Sequence, residues 1–232
     1  MGLNKKILTE NSTIGSIGLG ALIVFIAVVL IAGIAASVLI QTSSKLEIQA
    51  TTTGRETTSE VSTGLEIYSI EGYAATGSDI SKLIIMVRPM AGSEDINLNN
   101  AYIELSNTNK KVILNYSTSF YLEAAEGFND VFSANTFPDD DFAYGSPSNT
   151  DSSQYGILII EDADESSSET SPIINRGDKV YLCINTTGTF NNIAENSDIW
   201  GMIVPEDGYG GIINFRTPNT YTENVMEFQW DI

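Results

Sequence analysis

A long N-terminal α-helix followed by an antiparallel β domain, an α+β arrangement, is the fold class that this 232-residue sequence predicts. Two observations predict it. Ile17 to Ile40 reads IGLGALIVFIAVVLIAGIAASVLI, and the uncharged stretch around it runs from Asn11 to Ser44. After Ile70, short β-branched or aromatic runs succeed one another between turn residues, with no helical period among them.

The first fifteen residues, MGLNKKILTENSTIG, carry Lys5, Lys6 and Glu10, then small polar residues. A secretory signal has an apolar stretch of roughly 7–15 residues with a small-residue cleavage site after it. Here the apolar run is longer and no such site follows. The processing point that fits lies before the run, so the helix reads as retained.

About 20 apolar residues at 1.5 Å rise cover a bilayer core of roughly 30 Å, so the run is long enough to span one. Beyond it, Leu46, Ala50, Thr53, Thr57, Val61, Gly64 and Tyr68 recur at three- and four-residue steps. The threonines and serines between Thr51 and Thr63 oppose this with low helix propensity. The spacing still predicts one helix over 16–68, strongly apolar over 16–40 and roughly 75 Å long. A domain of this size cannot bury such a helix, so its N-terminal half needs a membrane or other copies of the chain.

Residues 69–232 form the β domain. KLIIMVRP (Lys82 to Pro89), NAYIELS (Asn100 to Ser106), KKVILNYS (Lys110 to Ser117), YGILIIED (Tyr155 to Asp162), KVYLCINT (Lys179 to Thr186), DIWGMIVP (Asp198 to Pro205) and GGIINFRT (Gly210 to Thr217) read as strands. They predict an antiparallel sandwich or barrel. Val225 to Trp230 alternates as a last strand, and Phe128 to Gln154, rich in Asp, Asn, Ser and Gly, reads as a long surface excursion.

Composition narrows function. Lys+Arg 11 against Asp+Glu 30 gives a net charge of −19. That excludes nucleic acid as a partner, since it needs clustered cations, and opposes adsorption to anionic lipid. The chain has no histidine, which removes the commonest general base and most zinc and copper sites. The one cysteine, Cys183, lies in the strand VYLCI and reads as a buried small hydrophobe. An enzyme built on a carboxylate pair is the weakest of the functional readings.

Two blocks carry a resemblance. SIGLGALIVFIAVVLIAGIAASVLI (Ser16 to Ile40) is similar to the N-terminal helix of type IV pilin-like proteins. GMIVPEDGYGGIINFRTPNTYTENVMEFQ (Gly201 to Gln229) is more specific, and together the blocks resemble an archaellin of the euryarchaeal kind, the subunit of the archaeal swimming filament. The resemblance implies a structural protein without catalysis, at the cell surface outside an archaeal cell. A prepilin-type peptidase would cut after Gly15, removing residues 1–15 as a leader, and leave Ser16 first. Ile14 departs from the basic residue that the family usually carries there. Newly made subunits would wait in the membrane, then polymerise with themselves or with other archaellins. Gly18, Gly20, Phe25, Ala32, Gly33 and Ala36 would lie in the filament core. Losing two lysines and one glutamate with the leader would take the charge from −19 to −20.

Asn115-Tyr-Ser and Asn185-Thr-Thr are sequons in the retained region, and archaellins are commonly N-glycosylated, so both asparagines are candidates. Family members also hold a metal in the outer domain. Asp162 and Asp164, in the run IEDADES, are candidate ligands for Ca²⁺ or Mg²⁺, while Asp139 to Asp141 form a second acidic run; neither has EF-hand spacing. A solvated acidic turn is the plainer reading of both. An archaeal adhesion pilin and a membrane-anchored binding module that never polymerises remain as alternatives for the whole chain.

Overall fold

The computed structural model describes residues 3–75, 78–124, 130–133, 136–138 and 153–230, with side chains only within 18–228. The chain divides into two compact units, 1–56 and 57–232.

Helix α1 covers Leu3–Ser62. The threonines do not interrupt it. Thr42 Oγ1 donates to the Val38 carbonyl at 2.9 Å and Thr51 Oγ1 to Glu47 at 2.8 Å, so the hydroxyls bind back onto the helix they would otherwise weaken. The helix ends six residues before the Tyr68 expected from the spacing, because Leu65 to Tyr68 is already strand. Leu65 and Ile67 are buried while Tyr68 is exposed, and that alternation competes with the helical stripe and wins through tertiary burial.

The strands are β1 (Leu65–Ala74), β2 (Ile80–Pro89), β3 (Ile96–Asn97), β4 (Tyr102–Ser106), β5 (Lys111–Glu123), β6 (Gln154–Glu161), β7 (Ile173–Ile174), β8 (Lys179–Asn185), β9 (Asp198–Val204), β10 (Gly211–Arg216) and β11 (Val225–Trp230), with a short helix α2 (Thr186–Phe190) after β8. Among the described residues, nine of the strands form one sheet in the order β10-β9-β4-β5-β6-β8-β2-β1-β11, and β3 pairs with β7. Among the paired strands of the described residues, β5 and β6 alone run parallel, joined by the long connection that a parallel pair requires. The sheet curls on itself. Gly64 bridges Tyr209 just before β10, and Phe215 of β10 stacks on Phe228 of β11 at 4.9 Å between centroids. The result is nearly a barrel, one of the two forms expected.

Alternation fills the interior with Ile70, Leu83, Ile85, Ile103, Leu105, Leu114, Ile157, Leu182 and Ile213. Tyr155 is also buried there, its hydroxyl 3.0 Å from the Leu98 carbonyl and 3.1 Å from that of Ala101. Ile84, Leu158 and Cys183 point to the opposite face, where Phe132 and Phe137 cover them. The excursion expected over 128–154 is thus not surface throughout. Lys82 Nζ donates to the Phe132 carbonyl at 2.5 Å and sits 4.7 Å from the Phe137 ring centre, holding this cover down. Gly156 makes the close approach possible, since a Cβ there would stand 1.8 Å from the Thr136 carbonyl oxygen.

Candidate functional site

Three features are candidates for function: the surface of α1, its junction with the sheet, and a carboxylate cluster. From Gly18 to Thr58 every residue of α1 is exposed, including Leu22, Phe25, Ile26, Leu30 and Ile34. The helix is long and apolar enough to cross a membrane. A Cβ at Gly18, Gly20 or Gly33 would meet nothing within 4 Å, so these glycines make no close approach within the chain. Ala32 and Ala36, like Gly33 and Ser37, are four residues apart and share a face. Gly15 and Ser16 lie within the helical backbone, and their side chains are outside the described residues.

The last turn of α1 is clamped where it enters the sheet. Tyr209 N–H donates to the Thr63 carbonyl at 2.9 Å, and Leu65 N–H to the Tyr209 carbonyl at 2.8 Å. Met90 N–H donates to the Gly64 carbonyl at 2.8 Å, Gly64 N–H to Ser93 Oγ at 3.0 Å, and Ser59 Oγ to Glu94 at 2.8 Å. Helix termini leave carbonyls without partners, and here two loops of the β domain supply them. Nothing in the sequence marks Ser93 or Tyr209 for this task.

Asp162 and Asp164 come together, and Asp178 joins them, with carboxylate oxygens of all three within 4.8 Å of one another. Asp162 follows β6 and accepts from the amides of Ser166 at 3.2 Å and Ser167 at 3.0 Å. Asp164 accepts from Asn175 Nδ2 at 2.7 Å, and this bond and one from Ser166 hold its pKa below the usual carboxylate range. Asp178 is 2% exposed. One of its oxygens accepts from the Asn175 amide at 2.8 Å, and the other, Oδ1, is also buried. Burial pushes Asp178 up, the backbone N–H groups of Asn175 and Ala163 pull it down, and the charges of Asp162 and Asp164 add to the rise. Sequence reading missed Asp178, which stands in Arg176-Gly177-Asp178, the turn before β8, where Gly177 has φ of +109°. Asp139 to Asp141 lie outside the described residues.

The two sequons part company. Asn115 is exposed on β5. Asn185 is 6% exposed and caps α2: its Oδ1 accepts from Thr187 N–H, and its Nδ2 donates to the Pro138 carbonyl at 2.8 Å. The nitrogen that would carry a glycan is therefore committed inside the folded domain, unlike that of Asn115. Cys183 is fully buried as expected, with its thiol pushed up to about 12 by burial.

With this geometry in view, likeness to known proteins is informative. The sequence pattern of the archaeal-type flagellins matches residues 15–215. Flagellin B1 of Methanocaldococcus jannaschii is 40% identical over 217 residues, 93% of this chain and 95% of that protein. Flagellin B3 of Methanococcus voltae is 36% identical over 230 residues, covering 93% and 96%. The crystal structure of archaeal flagellin FlaB1 from Methanocaldococcus jannaschii matches with a TM-score of 0.61 at 35% identity, over 72% of this chain and 98% of that one. The archaeal flagellum of Methanospirillum hungatei strain JF1 matches in fold, with a TM-score of 0.59 at 15% identity over 90% and 98%.

Proposed function

Because the chain belongs to the archaeal-type flagellin family, we propose that its two units divide one task, α1 building the core of a filament and the sheet forming its outer layer. The protein is a structural subunit of the archaellum, an extracellular cell-surface filament that drives motility, and it is not an enzyme. Its partner is itself, with other flagellins of the same kind.

The observation that carries the division of labour is the exposure of α1 from Gly18 to Thr58. Side chains of this kind contribute about 1.5–3 kcal/mol each when removed from water, so the helix must be covered in any stable state. Before assembly a membrane covers it; a prepilin-type peptidase then removes residues 1–15 between Gly15 and Ser16. In the filament, copies of the same helix cover it. Lipid tails are as apolar as leucine, so the move out of the membrane is driven by close packing, for which Gly18, Gly20, Ala32, Gly33 and Ala36 leave room around Phe25 and its apolar neighbours.

Two refinements belong to the outer layer. Asp162, Asp164 and Asp178 suit a hard divalent cation, Ca²⁺ or Mg²⁺, because three carboxylates converge within 4.8 Å and one of them is buried. An ion there would offset their mutual repulsion and tie the end of β6 to the turn before β8. Asn115 is the residue that the folded domain presents for an N-linked glycan.

Electron microscopy of sheared surface filaments, with intact-mass analysis of their main band, tests the reading. A band of this chain beginning at Ser16 is expected. Filaments that lack the chain, or contain it with Met1 to Gly15 attached, reject it.

A further inference from the structure

We propose that the outer face of β10-β9-β4-β5 is the surface by which the β domain of one copy packs against a second copy of this chain. The proposal rests on the filament reading above and adds which face makes the lateral contact.

Register and exposure define the face. Ile212 of β10 pairs with Met202 of β9, Met202 with Glu104 of β4, and Glu104 with Ile113 of β5, so the four side chains form one row across the strands. Trp200 lies beside Met202, two residues along β9. Ile199, Ile203, Ile213 and Leu114, the alternate residues, fill the interior, which fixes the row on the outer face. Ile212 is 67% exposed, Ile113 49%, Trp200 46% and Met202 41%. These four side chains offer on the order of 400 Å² of accessible surface, the size at which the largest patch on a monomer usually has a task.

Charge identifies the occupant. After leader removal the chain has 29 acidic and 9 basic residues, so two copies repel over most of their surfaces. On this face the balance is even. Glu104 is paired with Lys111 at 2.8 Å, and Asp198 at the end of β9 with Arg216 of β10 at 3.3 Å. An apolar, charge-paired area on a strongly acidic domain is where a second acidic copy can come close without an unpaired like charge opposite. Asn115, two residues beyond Ile113 on the same side of β5, bounds it, so a glycan there would lie at the rim of the contact. A lone interface of this size falls short of the roughly 800 Å² per partner that stable pairs bury. That suits a contact made between subunits already held together by their helices.

The test uses the full chain made in motile archaeal cells, with Ile212→Cys or Ile113→Cys providing a reactive surface thiol; native Cys183 is buried and silent. Maleimide labelling at least tenfold slower in purified filaments than in membrane-held subunits is expected. So is loss of at least nine-tenths of filament yield for Ile212→Glu combined with Met202→Glu, with unchanged amounts of folded subunit in the membrane. Equal labelling in both pools, with normal yield of the double variant, overturns the proposal and leaves the filament reading intact. Protection seen on cells but absent from purified filaments assigns the face to another surface component and also overturns it. Protection lost in an Asn115→Gln background assigns the cover to a glycan and overturns it equally. No filaments from the unaltered chain would defeat the filament reading itself.

Discussion

Gly208 lies against the carbonyl of Thr63 so closely that a Cβ on it would stand 2.1 Å from that oxygen, and its φ is +86°. The next residue, Tyr209, donates to the same oxygen at 2.9 Å. The point where the helix becomes sheet is therefore held backbone to backbone, without room for a side chain.

Gly208→Ala should lower stability by about 1–3 kcal/mol from backbone strain alone, with the clash added. Gly92, with φ of +94° and nothing within 4 Å of a Cβ, carries the strain without the clash. Thermal melts of the full chain in detergent should therefore show a larger loss for Gly208→Ala than for Gly92→Ala. Equal losses would mean that the contact at Thr63 is slack.

Ala32→Glu should abolish filaments while the β domain still folds. A carboxylate placed in a packed helix bundle lacks a partner and costs several kcal/mol. Negative-stain microscopy of cells expressing the variant decides it, and normal filaments would refute the core assignment.

Removal of divalent cations should lower the melting temperature of the unaltered chain. At a hundredfold excess over Kd a bound ion contributes about 2.7 kcal/mol, which for a domain of this size is roughly 5–10 °C. Asp178→Asn should abolish the response to EDTA and to added Ca²⁺ or Mg²⁺. A melt indifferent to chelation would leave the three aspartates as an acidic turn.

Stability should fall as pH rises from about 9 towards 12, the interval between the ordinary thiol value and that of buried Cys183. The sign follows from linkage: the unfolded chain loses its thiol proton first, so alkali favours unfolding, and the contribution is complete below the lower value. Tyr181, raised from 10.0 to about 12, acts in the same direction. Cys183→Ala should flatten part of the decline in denaturant titrations run across this range. Phe132→Ala, which uncovers the same cluster, should cost about 3–5 kcal/mol and let thiol reagents reach Cys183.

Asn115→Gln should shift the intact mass of the filament subunit by one glycan. Asn185→Gln should leave the glycan mass unchanged and lower stability by about 1 kcal/mol through the lost cap on α2. A mass shift on Asn185→Gln would show that modification precedes folding.

Where period and burial agree, the sequence is readable: Leu83, Ile85 and Val87 alternate into the interior much as KLIIMVRP suggests. Leu65 to Tyr68 misleads because Val61, Gly64 and Tyr68 fit a helical step equally well, and only the sheet decides. Phe132 and Phe137 give no periodic signal, since they lie in a polar stretch and find their partners on strands far along the chain. The carboxylate pair is visible as D-x-D, whereas Asp178 reaches it because β6 and β8 pair antiparallel, Glu161 opposite Lys179, a contact that no local pattern encodes.

The curl of the sheet has a consequence for a molecule that lives at very high local concentration. Identical chains held side by side at fixed spacing are the condition under which exposed strand edges template one another into cross-β aggregates. Here the strand that begins the order is drawn in toward those that end it, through the Gly64–Tyr209 bridge and the stacked rings of Phe215 and Phe228. With its outermost strands turned inward, the domain can be crowded into an ordered polymer without seeding an amyloid one.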